Sequence, residues 1–131
     1  MILLDTHALV WWVEFSPRLS NTARQAIATE RQSGRIGISA FSCWQIALLV
    51  SRGKLSISNE INTWLAAIEA LNRICFIPVD HAIAVRSVYL PAGLHDDPAD
   101  RIIVATAMMK NIPIVTVDTR IRAYPHVQTI W

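Results

Sequence analysis

The chain opens Ile2-Leu3-Leu4-Asp5-Thr6-His7-Ala8-Leu9-Val10-Trp11. Ile2-Leu3-Leu4 is a short apolar run cut off by polar residues, which predicts a strand buried on both faces. Asp5 stands where that strand ends. The same arrangement returns near the other end, where Ile114-Val115-Thr116-Val117 predicts a strand and Asp118 follows it. Between them, Arg35 to Ser39 and Ile74 to Val79 read as two more strands, and Val127 to Ile130 as a last edge strand. Helices alternate with these strands: about 7–15, 21–33, 41–52, 60–72, 81–89 and 98–110. Ser20-Asn21, Ser58 or Asn59, and Asp80 are capping candidates, while Gly34 and Gly53 are stops. Ser42-Cys43-Trp44-Gln45 matches the S-x-x-Q capping box. Strands alternating with helices predict an α/β fold with a mainly parallel sheet of four to five strands. No repeat, linker or low-complexity tract divides the chain, so one domain over 1–131 is expected.

Composition narrows the class. Of 131 residues, 53% are hydrophobic and 17% charged, which excludes a disordered, solvating chain. No apolar stretch reaches the roughly 18 uncharged residues of a membrane span. No signal peptide is visible, so a cytoplasmic protein is expected. The net charge of +2 is too small to argue for nucleic acid by bulk electrostatics. Cys43 and Cys75 stand in apolar segments without metal-ligand spacing and read as free thiols.

Ligands of open α/β folds bind at the carboxyl edge of the sheet, so the residues that end strands carry the functional information. Asp5 and Asp118 lie there, and Asp100 lies in the first turn of the helix opened by Pro98. Ser39 ends the second strand and leads into the helix bearing Gln45. Only ten acidic residues exist in the chain, and three or four could converge at this edge. Gathered carboxylates repel unless a cation holds them, and hard oxygen donors suit Mg²⁺ or Mn²⁺. A cation so held keeps open positions, orients a phosphodiester and activates a water. Each acid also has a plainer reading, as a helix cap, a dipole partner or a turn residue. No second Asp completes a D-x-D phosphatase motif at Asp5, and no Lys follows Asp118 as a receiver domain would want.

The residues resemble the PIN-domain family, most closely the VapC-type toxins of bacterial toxin–antitoxin pairs. The likeness rests on four segments in order: Leu3-Leu4-Asp5-Thr6-His7-Ala8, Ser42-Cys43-Trp44-Gln45-Ile46-Ala47, His95-Asp96-Asp97-Pro98-Ala99-Asp100-Arg101 and Val115-Thr116-Val117-Asp118. It implies a three-layer PIN-like fold and an endoribonuclease dependent on Mg²⁺ or Mn²⁺. Asp5, Asp100 and Asp118 would be the metal-holding and catalytic acids. Asp97 matches an accompanying position. Thr6, Ser39 and Thr116 are neighbouring hydroxyls that orient waters or ligands, or simply cap turns. Where the family has Glu in W-E-I-A, this chain has Gln45, which keeps one acceptor oxygen and loses the charge. Gln45 is thus a degraded fourth position, or a capping residue. Loss of that charge predicts weakened activity, or an impaired protein that only binds RNA or antitoxin.

His7 is a candidate for RNA contact or a partly buried helix-start histidine. His95 is expected to order its loop. Arg101 points about 100° away from Asp100 on the helix, toward an ion pair or RNA. Arg52 and Lys54 suit a helix C-terminus. Adjacent Trp11 and Trp12 cannot share one core position, so at least one is expected to face another surface. The resemblance implies a VapB-type antitoxin and a second toxin subunit as the partners there.

Overall fold

Strand β1 (Ile2–Leu4) is the middle of a five-stranded sheet whose pairings are all parallel. The computed structural model describes all residues, Met1–Trp131. Beside β1 lie β2 (Ile36–Ser39) and β4 (Ile114–Val115), and the edges are β3 (Ile74–Ile77) and β5 (Thr129–Ile130). Leu3 is in register with Gly37 on one side and Ile114 on the other. Gly37 is required by packing, because a Cβ there would stand 2.9 Å from Ile77 Cδ1.

Side chains of a strand alternate between faces, and β1 shows the consequence. Ile2 and Leu4 join one core with Ile36, Ile38 and Val115, covered by α1 (Thr6–Val13), α2 (Asn21–Ser33), α3 (Ala40–Ser51) and α4 (Ile61–Glu69). Leu3 joins the opposite core with Ile114, Ile103 and Val104, covered by α5 (His81–Val88) and α6 (Pro98–Lys110). Full burial of such a side chain contributes about 1.5–3 kcal/mol, so both layers hold the short strands in place. The result is the expected three-layer PIN-like α/β architecture. No helix is long and apolar enough to cross a membrane.

Several local expectations change. The capping box at Ser42–Gln45 does not form. Ser39 caps α3 instead, its side chain accepting from the Phe41 N–H, and Ser42 and Gln45 lie inside the helix. The cap of α4 is Glu60, not Ser58 or Asn59; its carboxylate accepts the Thr63 N–H. Strand β4 stops at Val115, so Thr116 and Val117 bridge the sheet to Asp118. A four-residue helix, α7 (Thr119–Arg122), follows Asp118 and has no counterpart in the sequence reading. Gly53 takes φ +67° after the C-cap Arg52, as its stop role requires. Cys43 and Cys75 are free and half-buried.

Candidate active site

Three of the four acids here are placed by caps. Asp5 follows β1, and its Oδ1 accepts the Ala8 N–H at 2.7 Å, opening α1. Asp97 caps α6 by accepting the Asp100 N–H at 3.1 Å, with Pro98 as the first helical residue. That capped turn presents Asp100. Asp118 caps α7 through the N–H groups of Arg120 and Ile121, at 2.8 and 3.4 Å. Because the strands are parallel, the ends of β1 and β4 bring Asp5 and Asp118 to one edge, and α6 brings Asp100 across to them.

These acids line one cavity of about 400 Å³, together with Thr6 and Gln45. Its other wall includes His7, Trp11, Arg18 and Arg120. The Thr6 hydroxyl donates to Gln45 Oε1 at 2.7 Å and lies 3.0 Å from Ser42 Oγ. It fastens the start of α1 to α3 and fixes the glutamine. Ser39 is fully buried and serves α3 as its cap, away from the cavity lining. Thr116, also buried, accepts the Asp118 N–H at 3.0 Å and lies beside Asp5. A larger apolar groove between α5 and α6 contains no acid.

The electrostatics of the acids differ. Burial pushes the Asp5 carboxyl above its ordinary range; Thr116, the Ala8 N–H and His7 oppose this, and Asp100 adds repulsion. Asp100 is also pushed up, first by burial and further by Asp97 and Asp118, against the bond from His95. Burial acts upward on Asp118 as well, yet the side chain and N–H of Arg120 and the N–H of Ile121 outweigh it and hold Asp118 low. His95 Nε2 is 2.6 Å from Asp100 Oδ2, so this histidine steadies the acid as well as its loop.

Two cations matter that had not been singled out from the sequence. Arg120 Nη2 lies 3.1 Å from Asp118 Oδ2 and 3.5 Å from Asp100 Oδ2, bridging the two acids. Arg18 lines the same cavity. A four-residue helix has no hydrophobic period, so nothing in the sequence marked Arg120 except its closeness to Asp118.

Two expectations are corrected. His7 is exposed rather than partly buried and faces the cavity, its ring 5.8 Å from that of Trp11. Arg101 forms no ion pair. Its guanidinium donates to the carbonyls of Ser87, Val88, Leu94 and His95, at 2.9, 3.1, 3.2 and 3.3 Å. It ties the end of α5 to the loop before α6. Trp11 also meets Trp131, Trp64 is buried, and Trp44 is 57% exposed against Phe41.

The donor set is all oxygen and matches Mg²⁺ or Mn²⁺ in hardness. Two of its acids are held above their ordinary range, a cost that a bound cation would reverse. As the side chains stand, no three acidic, histidine or cysteine groups close on one point. Arg120 lies between two of the acids instead. The residues therefore fit a divalent ion in chemistry, with the guanidinium supplying positive charge in the present arrangement.

Comparison with known proteins agrees with this fold. The family model of the PIN domain matches residues 2–127. The chain is 30% identical to Ribonuclease VapC22 of Mycobacterium tuberculosis (strain ATCC 25618 / H37Rv), over 99% of this chain and 98% of that one. Its fold is similar to the crystal structure of VapBC2 from Rickettsia felis bound to a DNA fragment from their promoter. There the TM-score is 0.71 at 18% identity, covering 98% of this chain and 97% of the other. It is also similar to Mycobacterium tuberculosis VapC20, a sarcin-ricin loop cleaving toxin, with TM-score 0.66 at 15% identity, over 98% and 99% of the two chains.

Proposed function

The chain belongs to the PIN-domain family as a homologue of VapC-type ribonucleases, and from that membership we propose that it is a metal-dependent endoribonuclease toxin acting as one domain. The observation that carries this reading is the single cavity at the sheet's carboxyl edge, where Asp5, Asp100 and Asp118 meet Gln45. These three acids would hold Mg²⁺ or Mn²⁺, and Gln45 would add a neutral oxygen. A bound divalent ion supplies Lewis acidity toward a scissile phosphate and lowers the pKa of an attacking water.

The chain's own residues do the rest. Asp97 keeps Asp100 at the mouth by capping its helix. His95 fixes the orientation of that carboxylate. Thr116 serves both Asp5 and Asp118, and Thr6 holds the Gln45 oxygen toward the cavity. His7 and Arg18 lie on the wall where an RNA strand would pass. The partner is a VapB-type antitoxin, with a second toxin copy, in the cytoplasm. Exposed Phe15 and Trp44 offer apolar contact area for such a partner.

A second reading has its own observation. Gln45 is uncharged and its oxygen already accepts from Thr6, which suits a protein that binds RNA or antitoxin without cutting. One assay separates the two. Cleavage of mixed RNA is followed with Mg²⁺ and with Mn²⁺ for this chain, Gln45→Glu and Asp5→Asn. Metal-dependent cutting that rises at least about tenfold in Gln45→Glu and disappears in Asp5→Asn supports the nuclease reading. Cutting by Gln45→Glu that survives addition of Asp5→Asn refutes the assigned site. Tight antitoxin binding without cutting under either metal supports the second reading.

A further inference from the structure

Arg120 is the one basic side chain that bridges two of the cavity's acids, and its position is unusual for an ordinary surface ion pair. It stands two residues after Asp118, so the cap of α7 ties its backbone, and Nε and Nη2 also reach the same carboxylate. Nη2 extends to Asp100, an acid from a different part of the chain, at 3.5 Å. Yet the side chain is 59% exposed, so no packing holds it in that pose. What holds it is its charge and its hydrogen bonds to the Asp118 carboxylate.

We propose that Arg120 is an exchangeable counter-cation: it neutralises Asp100 and Asp118 while no metal is bound, and turns to the RNA phosphate when a divalent ion takes those acids. This rests on the metal-dependent reading above and adds a residue and a sequence of events to it. The physical reason is competition for the same oxygens. A guanidinium and a divalent ion cannot both occupy the space between two carboxylates, because their charges repel. Once the acids are engaged, the nearest new anion is the phosphodiester, which a guanidinium meets with two parallel charge-assisted hydrogen bonds. The exposed side chain moves without breaking a packed core.

The consequence is a pair of effects of opposite sign. Arg120→Gln removes the competitor and the phosphate clamp together. Mn²⁺ binding to the purified chain, read from free Mn²⁺ by electron paramagnetic resonance, tightens about three- to fivefold, the range an exposed ion pair supplies. Binding of a short labelled RNA in Ca²⁺, read by fluorescence anisotropy, weakens by at least about fivefold. Arg120→Lys, which keeps the charge but not the fork, falls between on both readings. A merely structural arginine would weaken both and lower the melting temperature.

Asp100→Asn is the control for the underlying site. If it abolishes Mn²⁺ binding while Arg120→Gln leaves Mn²⁺ affinity unchanged or weaker, the exchange is refuted and the metal site stands. If Mn²⁺ binding is indifferent to Asp100→Asn, the ion is not held by these acids, and both the site and the exchange are overturned.

Discussion

Replacing Arg101 by Ala discriminates a structural staple from an RNA-binding arginine. The guanidinium donates to four carbonyls between 2.9 and 3.3 Å. A hydrogen bond from a charged donor contributes about 1.5–3 kcal/mol where water is excluded. The contact with Val88 is exposed, and one Nη1 serves both Leu94 and His95 at longer range, so water replaces part of what is lost. Counting the Ser87 and Leu94 contacts at about 1.5 kcal/mol each, less what water returns, gives a loss of about 2–3 kcal/mol. For a chain of this size, that lowers the melting temperature by about 6–12 °C. Arg101→Lys restores less than half, because an ammonium cannot span both segments. Thermal unfolding by circular dichroism reads the loss, and RNA binding against salt reads the alternative. The staple account expects the slope of log affinity against log salt to be unchanged. An unaltered melting temperature with a slope reduced by about one would mean that Arg101 neutralises an RNA phosphate, and the account would be wrong.

The acids make opposite predictions in EDTA. Because the Asp5 pKa is raised in the fold, its ionisation weakens the native state as pH rises above the unfolded value. Asp5→Asn should therefore melt higher than the parent at pH 7, with the gain shrinking toward pH 4. Asp118 is held low, so its charge stabilises the fold above the unfolded pKa and that help fades as pH falls. Asp118→Asn should melt lower at pH 7, and the same sign for both variants would count against these environments. Tyr124 donates its hydroxyl to the Pro91 carbonyl at 2.6 Å, anchoring the turn before the His95 loop. Tyr124→Phe should cost about 1 kcal/mol in urea unfolding, and no change in midpoint would remove that anchor from the account. Gly53 has a positive φ with open space around it, so Gly53→Ala should cost about 1 kcal/mol through backbone strain alone. A neutral result would place the turn outside the left-handed region.

The central architecture was legible because parallel strands buried on both faces are short and almost wholly apolar, as Ile2–Leu4 is and as Ile36–Ser39 is up to its last residue. Asp5 and Asp118 could be grouped because strand direction alone sends them to one edge, whereas Asp100, on α6, joined them through the His95–Arg101 motif. Local patterns misled where two fits competed. Ser42–Gln45 matches a capping box, but Ser39 at the end of the strand wins the cap, and Gln45 is thereby turned toward Thr6. Glu60 does not read as a cap from sequence because shorter side chains usually fill that position. The destinations of Arg101 and Arg120 are tertiary facts. Arg101 reaches carbonyls up to 14 residues back, and Arg120 reaches an acid on another helix, so neither partner leaves a local signature.

The most direct test of the account is a crystal of this chain soaked in Mn²⁺, with data collected to locate anomalous scattering. The account predicts a peak within coordinating reach of Asp5, Asp100 and Asp118, with Arg120 displaced from both of its present carboxylate partners. A peak elsewhere, or none beside these acids at high Mn²⁺, would contradict the claim that this cavity is the metal site of a ribonuclease.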